Sequence, residues 1–177
     1  MKSNILLISI CILISACSKK NSTESSLVFA NNMEGIHAWN ENHPLNIIKT
    51  EKAHSGKFVC NVNSEFPYGS TFYMKLGDIS SKKLKKLKVS CWLLSQDKAA
   101  SPSLVFDILD KNKQSVEYLS KDCRGVIKSE NAWFHISNEV NMEPSMRSNP
   151  ENYLKVYVTN VVPQAVQVDD LIVEFSE

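Results

Sequence analysis

Five cysteines are the residues of this sequence whose chemistry depends most on their neighbours. A thiol can carry a lipid, form a disulfide or bind a metal ion, and the local sequence and the compartment decide between these outcomes. Cys17 follows an aliphatic residue and two small ones, Ile14, Ser15 and Ala16.

An apolar segment precedes Cys17. Residues 5–14 are apolar apart from Ser9 and Cys11, and Lys2 supplies one positive charge before them. About 10 helical residues rise about 15 Å, which is half of a hydrocarbon core of about 30 Å. The segment is therefore typical of a cleaved secretory signal peptide. The tetrapeptide ISAC that ends at Cys17 resembles the lipobox of bacterial lipoproteins, and the alternative is an ordinary signal with an incidental cysteine.

The lipobox resemblance divides the chain into a signal peptide (1–16), a lipidated cysteine with a polar tether (17–26) and a folded domain (27–177). Acyl chains such as palmitate hold the mature protein on a membrane, since each buried methylene contributes about 0.8 kcal/mol. Ser18 is not an acidic residue of the inner-membrane-retention type. We therefore expect a lipid-anchored protein of the cell envelope, at the outer membrane, although the tether has no acidic cluster that would favour export to the outer face.

Three cysteines remain in the domain. Cys60 and Cys91 lie at core-facing positions of strand candidates, where a free thiol packs like a small apolar side chain. Cys123 lies in the polar sequence KDCRG and is expected to be more exposed. Outside the cytoplasm a Cys60–Cys91 disulfide is the alternative to free thiols, which we favour. Without a Cys-x-x-Cys pair, a structural zinc site is not expected.

Composition and motifs argue against nucleic-acid binding and catalysis. The chain has 177 residues with 20 Lys and Arg against 19 Asp and Glu, so no overall field attracts nucleic acid. It contains no Gly-x-Ser-x-Gly, His-Glu-x-x-His or Walker sequence. A glycosidase would need two carboxylates about 5 to 10 Å apart in a cleft, drawn from Asp107, Glu117 and Glu139. We therefore expect a protein that is not an enzyme.

From residue 27 onward, apolar and polar residues alternate with a period of two, which is typical of half-buried β-strands. Phe72, Met74 and Leu76, for example, share one face, and Tyr73 and Lys75 share the other. About eight or nine short strands in about 150 residues predict an all-β fold, a two-sheet antiparallel β-sandwich. The strand candidates are 57–62, 71–76, 87–95, 103–109, 115–120, 133–140, 154–159 and 166–175.

Residues 80–88 (SSKKLKKLK) could form a different element. Leu84 and Leu87 are three residues apart among five lysines, as in a short basic amphipathic helix for a membrane or nucleic acid. Two leucines bury little apolar surface. We therefore favour a solvated lead-in to the next strand, with lysines that can contact anionic lipid.

Local motifs across residues 28–175 resemble, in their order, the galactose-binding-like jelly rolls, especially the carbohydrate-binding modules that accompany polysaccharide-degrading enzymes and occur in surface lipoproteins. Each motif is degenerate alone, and their shared order carries the resemblance. They are FANNMEG at 29–35 followed by Trp39, AHSGKF at 53–58, LKVSCW at 87–92, AWFHI at 132–136, LKVYVTN at 154–160 and VDDLIV at 168–173.

This resemblance implies a structural calcium ion at one end of the sandwich. Its ligands would be Glu34 of the first strand, carbonyl groups near residues 52–55 and Asp169 of the last strand. Calcium takes six to eight oxygen ligands, so a site of this kind would fasten the first strand to the last. The alternative is that both residues are ordinary exposed acids.

The resemblance also implies non-catalytic glycan binding, and strand alternation selects the candidate residues. Sugars present apolar C–H faces ringed by hydroxyl groups, so a site needs flat aromatic rings and nearby hydrogen-bonding side chains. Outward-facing residues on strands that could be neighbours supply both. The expected aromatic platform is Tyr73, Trp92 and Tyr157, with a polar rim of Lys75, Lys155 and Tyr118.

Three functions are therefore weighed. The first is a lipid-anchored glycan-binding protein, which exposed coplanar aromatic rings on one sheet would favour. The second is a lipoprotein that contacts other envelope proteins through the same sandwich without binding sugar, which an apolar patch elsewhere would favour. The third is a hydrolase, which a cleft with a carboxylate of raised pKa would favour.

Overall fold

A computed structural model describes residues 26–35, 39, 46–143, 147 and 149–177. The predicted signal peptide, Cys17 and nearly all of the predicted tether lie outside the described residues. Within the described part, ten β-strands form two antiparallel sheets that pack face to face. The predicted two-sheet antiparallel sandwich is confirmed.

The larger sheet has six strands. Its order is β2-β3-β10-β5-β8, and β1 pairs with β10 beside this path. β3 pairs with residues 166–168 of β10, whereas β1 pairs with residues 171–176, so the two share one edge of the same strand. The strands are β1 (Ser26–Asn31), β2 (Ile47–Lys49), β3 (Phe58–Val62), β5 (Lys86–Ser95), β8 (Trp133–Asn141) and β10 (Val166–Ser176).

The smaller sheet has four strands in the order β4-β9-β6-β7. Its strands are β4 (Phe72–Lys75), β6 (Ser103–Leu109), β7 (Ser115–Asp122) and β9 (Tyr153–Thr159). A single helical turn, α1 (Leu76–Ile79), follows β4 directly. This turn ends the strand at Lys75, one residue before the predicted boundary. The chain then passes from the smaller sheet to β5 of the larger one.

The core lies between the two sheets. In β9 the side chains alternate between half-exposed and buried along the whole strand, as a sheet with one covered face requires. Removing these apolar side chains from water is the main favourable contribution to folding. Phe72, Phe106 and Phe175 are among the largest fully buried side chains.

All three described cysteines are free and buried. Cys60 and Cys91 lie in the core as predicted, and burial raises the pKa of the Cys60 thiol to about 12. The expectation that Cys123 is more exposed is wrong, because its side chain is fully buried. Its N–H donates to the Pro102 carbonyl at 2.9 Å, and its Sγ donates to the Lys121 carbonyl at 3.3 Å. These contacts turn the thiol inward at the end of β7.

The lysine-rich segment at residues 80–88 is not a helix. Residues 82–85 have no regular structure and lead into β5, which begins at Lys86. Leu84 and Leu87 are buried in the core while the lysines between and beside them are exposed. The segment is thus the solvated lead-in that we favoured. No helix in the described part of the chain is long and apolar enough to cross a membrane.

Candidate functional site

The outer face of the smaller sheet carries a row of four side chains, one from each strand. Tyr73 of β4 is opposite Lys155 of β9. Lys155 is opposite Asp107 of β6, which in turn is opposite Tyr118 of β7. Residues opposite one another in a ladder project from the same face of the sheet. The register therefore brings together Tyr73, Lys155 and Tyr118, as predicted, and adds Asp107 between them.

Every tyrosine of the chain lies on this face or at its edge. The sequence has five tyrosines. Tyr73 stacks on Tyr153 with ring centres 5.4 Å apart and planes 18° apart, and Tyr68 meets Tyr157 edge to face at 5.7 Å. Tyr118, the fifth, is 55% exposed. We call this surface the tyrosine face, defined by Tyr68, Tyr73, Tyr118, Tyr153 and Tyr157.

A groove of about 360 Å³ opens on the tyrosine face. It is lined by Tyr68, Thr71, Lys155 and Tyr157. Tyr68 precedes β4 and is 61% exposed, and its backbone forms a bridge with Thr159. The edge-to-face contact with Tyr157 holds the exposed Tyr68 ring over one side of the groove.

The two lysines of the tyrosine face have different surroundings. The Lys75 ammonium lies 2.9 Å from Glu151 Oε2, and the hydrogen bond to that carboxylate raises the pKa of Lys75. The Lys155 ammonium lies 5.6 Å from the centre of the Tyr73 ring, within the range of a cation–π contact. Lys155 has no ion pair among the described residues.

The Tyr157 hydroxyl at the groove stays protonated at neutral pH. Burial raises the pKa of the Tyr157 phenol, and nearby Tyr118 and Asp107 act in the same direction. Asp107 itself leans toward β7, where its Oδ1 accepts a hydrogen bond from Ser115 Oγ at 2.5 Å. The face thus has a protonated phenol at the groove, hydrogen-bonded to Tyr118, and a carboxylate close enough to act on it.

Trp92 does not join this face. It lies on β5 of the larger sheet, so the expectation that its strand neighbours that of Tyr73 is wrong. The Trp92 ring stacks on the His54 imidazole with centres 3.9 Å apart and planes 17° apart, and His135 lies 5.1 Å away. Strand alternation assigns a residue to the outer side of its own sheet but cannot tell which sheet that is. Here β4 and β5, although consecutive, belong to opposite layers.

Glu34 and Asp169, the predicted calcium ligands, both contact the loop between β2 and β3. Glu34 Oε1 accepts hydrogen bonds from the N–H groups of Lys57 (2.6 Å) and Phe58 (2.8 Å), which lower the pKa of Glu34. Asp169 is fully buried, and its Oδ2 accepts a hydrogen bond from the N–H of Ser55 at 3.0 Å. Burial raises the pKa of Asp169.

These contacts do not fit a calcium site. Calcium requires oxygen ligands directed at one point, whereas the loop directs N–H groups at both carboxylates. The neighbouring Asp170 is also engaged, by His54 Nδ1 at 2.6 Å and by Ser55 Oγ at 2.6 Å. In the described ranges no group of three or more His, Cys, Asp or Glu could hold a metal ion. We name this arrangement of Glu34, Asp169 and Asp170 around the loop the hydrogen-bonded clasp.

The three carboxylates weighed for hydrolysis do not share a cleft. Asp107 lies on the tyrosine face, and Glu117 projects from the opposite side of β7, where its Oε2 lies 2.8 Å from Arg147 Nε. Glu139 lies on β8 in the larger sheet, 3.0 Å from the Lys86 ammonium. The hydrogen bond from Arg147 lowers the pKa of Glu117, the opposite of what a general acid needs.

Two residues of the site were missed by sequence reasoning. Tyr153 has the same strand parity as Lys155 and Tyr157, so extending the β9 candidate by one residue would have found it. Tyr68 lies outside the named strands and has no periodic signal. Its place at the groove depends on the fold of the segment before β4.

Comparisons with known proteins show which solved structures have a similar fold. No family model and no curated protein sequence matches the chain. The CBM22-1 xylan-binding domain of Paenibacillus barcinonensis Xyn10C is similar, with a TM-score of 0.58 and 12% identity over 88% of this chain and 99% of that one. The CBM22-1-CBM22-2 tandem domain of the same protein has a TM-score of 0.57 and 12% identity, over 87% of this chain and 47% of that one. The xylan-binding module CBM15 has a TM-score of 0.51 and 8% identity, over 86% of this chain and 97% of that one. The chain has the jelly-roll fold of carbohydrate-binding modules, as the order of its motifs predicts.

Proposed function

We propose that the domain binds glycan, without catalysis, through the tyrosine face. The observation that carries this proposal is the gathering of all five tyrosines on one outer face or at its edge, where two of them, Tyr68 and Tyr157, line a groove of about 360 Å³. Tyrosine offers a flat apolar ring and a hydroxyl group, which suits a ligand with apolar C–H faces and many hydroxyls. The solved modules of the same fold that are described as xylan-binding support the same choice of ligand class.

The absence of catalysis is part of the proposal. Among the described residues, the acidic side chains weighed for a glycosidase lie on three different surfaces. Their separation supports binding over hydrolysis, because glycoside hydrolysis requires two carboxyl groups on either side of one bond.

We further propose that this domain is carried on a lipid anchor at Cys17, in the cell envelope and at the outer membrane. The support is the sequence alone, namely the short apolar segment and the tetrapeptide ISAC. Incorporation of labelled palmitate into the wild-type chain and its loss in Cys17→Ser would support the anchor. Equal labelling of both chains would contradict it.

The exposed large apolar side chains bear on a protein partner, the alternative to a glycan. Among the described residues, those other than tyrosine lie on or beside four separate elements. They are Val28 on β1, Ile48 on β2, Val116 on β7 and Val161 after β9. Large contiguous apolar patches are the usual mark of a protein-binding surface.

The test is a glycan-binding screen on the full mature chain in detergent micelles. Tyr73→Ala and Tyr157→Ala should each weaken binding about three- to tenfold, the range expected for loss of one aromatic contact. A matched Lys111→Gln variant, in the turn between β6 and β7, should bind like wild type. Absence of binding to any polysaccharide, or binding unchanged by both tyrosine substitutions, would overturn the proposal.

A further inference from the structure

We propose that the tyrosine face prefers acidic glycans, with the Lys155 ammonium receiving a sugar carboxylate. This inference rests on the proposed glycan binding and specifies the class of sugar. The groove supplies both an aromatic wall and a cation, and a uronic acid presents the matching pair of groups. Its ring has an apolar face for a tyrosine, and its carboxylate carries the charge that Lys155 can accept.

Lys155 is placed at the centre of the face. In the ladder it lies between Tyr73 and Asp107, and it also lines the groove with Tyr68 and Tyr157. Its side chain is half-exposed, and the ammonium rests over the Tyr73 ring. A ligand that stacks on the tyrosines therefore meets this ammonium directly.

Among the described residues, no acidic side chain forms an ion pair with Lys155. Lys75, its neighbour on the same face, is neutralised by Glu151. Asp107 is the nearest acid in the ladder, yet its Oδ1 is engaged by Ser115 on the far side of β6. The lysine leans toward β4 and the aspartate toward β7, so the two charges do not pair, and Asp107 acts on the Tyr157 phenol at the groove.

A neutral hydroxyl lies beside Lys155 in the groove. The Tyr157 phenol stays protonated because burial raises its pKa, and its hydroxyl shares a hydrogen bond with Tyr118. Charge-assisted hydrogen bonds to a carboxylate are about twice as strong as those between neutral groups. A lysine acts as a single point charge on a flexible stem, and it can follow a carboxylate that varies in position along a polysaccharide.

The experiment compares each acidic polysaccharide with its own carboxyl-reduced form. Polygalacturonate and glucuronoxylan are the probes, and calorimetry on the full mature chain in micelles measures their affinities. Reduction of –COO⁻ to –CH₂OH removes the charge and keeps the backbone of the sugar. We expect at least one acidic form to bind about tenfold more tightly than its reduced form, and the preference to shrink as salt is raised.

Substitutions assign the preference to one residue. Lys155→Gln should abolish the tenfold preference, so that the variant binds the acidic and the reduced forms equally. Lys155→Arg should keep the preference because it keeps the charge. Lys111→Gln, which removes a lysine far from the groove, should change neither affinity. Circular dichroism and melting curves of each variant establish that the fold is intact.

The outcomes separate the two proposals. Equal binding of acidic and reduced forms, or a preference that survives Lys155→Gln, overturns the acidic preference and leaves glycan binding standing. Failure to bind every probe and every neutral polysaccharide of the screen overturns glycan binding and this inference with it.

Discussion

Tyr73 and Lys155 face each other across the β4–β9 ladder, and the ammonium of one lies 5.6 Å from the ring centre of the other. The pair couples an apolar surface to a positive charge on the same side of the sheet. Tyr153 stacks on the same tyrosine ring and limits the positions it can take. The ring is thus oriented before any ligand arrives, which lowers the entropy lost on binding.

Tyr73→Ala should therefore weaken glycan binding more than it weakens the fold. The ring is half-exposed, so its loss creates no core cavity, and the melting temperature should fall by no more than about 4 °C, as for a loss of about 1 kcal/mol. Affinity for the best polysaccharide of the screen should fall about three- to tenfold. Titration calorimetry and a thermal melt on the same sample check both numbers. A variant that melts far lower but binds as wild type would contradict this account.

Trp92→Ala should leave glycan affinity within about twofold of wild type. Its ring lies on the other outer surface and is stacked on His54, so it is not available to a ligand on the tyrosine face. Loss of the stack should instead lower stability by about 1 kcal/mol. Affinity electrophoresis beside Tyr73→Ala provides the comparison. A loss of binding as large as that of Tyr73→Ala would return Trp92 to the site.

Chelation should not alter stability. The hydrogen-bonded clasp satisfies Glu34 and Asp169 with N–H groups of the chain, so no ion is needed to hold the first strand near the last. Melting curves in EDTA and in millimolar calcium are expected to agree within about 1 °C, since no ligand linked to folding is removed. A rise in melting temperature with calcium concentration would show that the acids bind the ion after all.

Gly56→Ala tests the clasp by substitution. Gly56 has a φ of +61°, and a Cβ at this position would overlap Glu34 Oε1. An alanine here must both adopt a left-handed conformation and displace the carboxylate. We expect a loss of about 2 kcal/mol or more and a fall in melting temperature of about 4 to 8 °C. Gly125→Ala, where a Cβ would meet nothing within 4 Å, is the control and should melt like wild type.

Glu117→Gln should make stability depend less on pH. The hydrogen bond from Arg147 lowers the pKa of Glu117 in the folded chain, so its contribution is complete above the unfolded value of about 4.3 and is lost as the pH falls through the folded value. At pH 7 the variant should be less stable by about 1 kcal/mol. Urea titrations at a series of pH values should show the two chains converging in acid. A constant difference at every pH would contradict the assignment.

The sequence was enough to predict a sandwich of two sheets. It was not enough to predict which strand belongs to which sheet. The alternation of Phe72, Met74 and Leu76 with polar residues predicts a half-buried strand, because a strand has two faces and only one is covered. Nothing local distinguishes β4 from β5 as members of different sheets. The helical turn α1 takes the chain from one layer toward the other, and its sequence, LGDI, has no apolar period of its own.

For the candidate site, too, the sequence predicted which side chains point outward from a strand but not which sheet the strand joins. Lys155 and Tyr157 were selected because they alternate with buried residues on one strand, and both lie on the tyrosine face. Trp92 satisfies the same rule on the outer face of the other sheet. Cys123 was misjudged because polar neighbours in the sequence suggested exposure, whereas its burial depends on contacts to Pro102 and Lys121 that the fold provides.

β1 begins at the end of the domain that carries the exposed lysines. Ser26 pairs with Ser176, which in turn pairs with Lys86, so the chain enters the domain at the same end as the exposed lysines of residues 82–88. Residues 80–84 also lie beside Pro150, which precedes β9, whereas the groove lies toward the opposite end of that strand at Tyr157. On a protein anchored through Cys17, as proposed, the lysines would face the bilayer and the groove would open away from it. A polysaccharide could then be held at a distance from the lipid surface, with its chain free to extend on both sides of the domain.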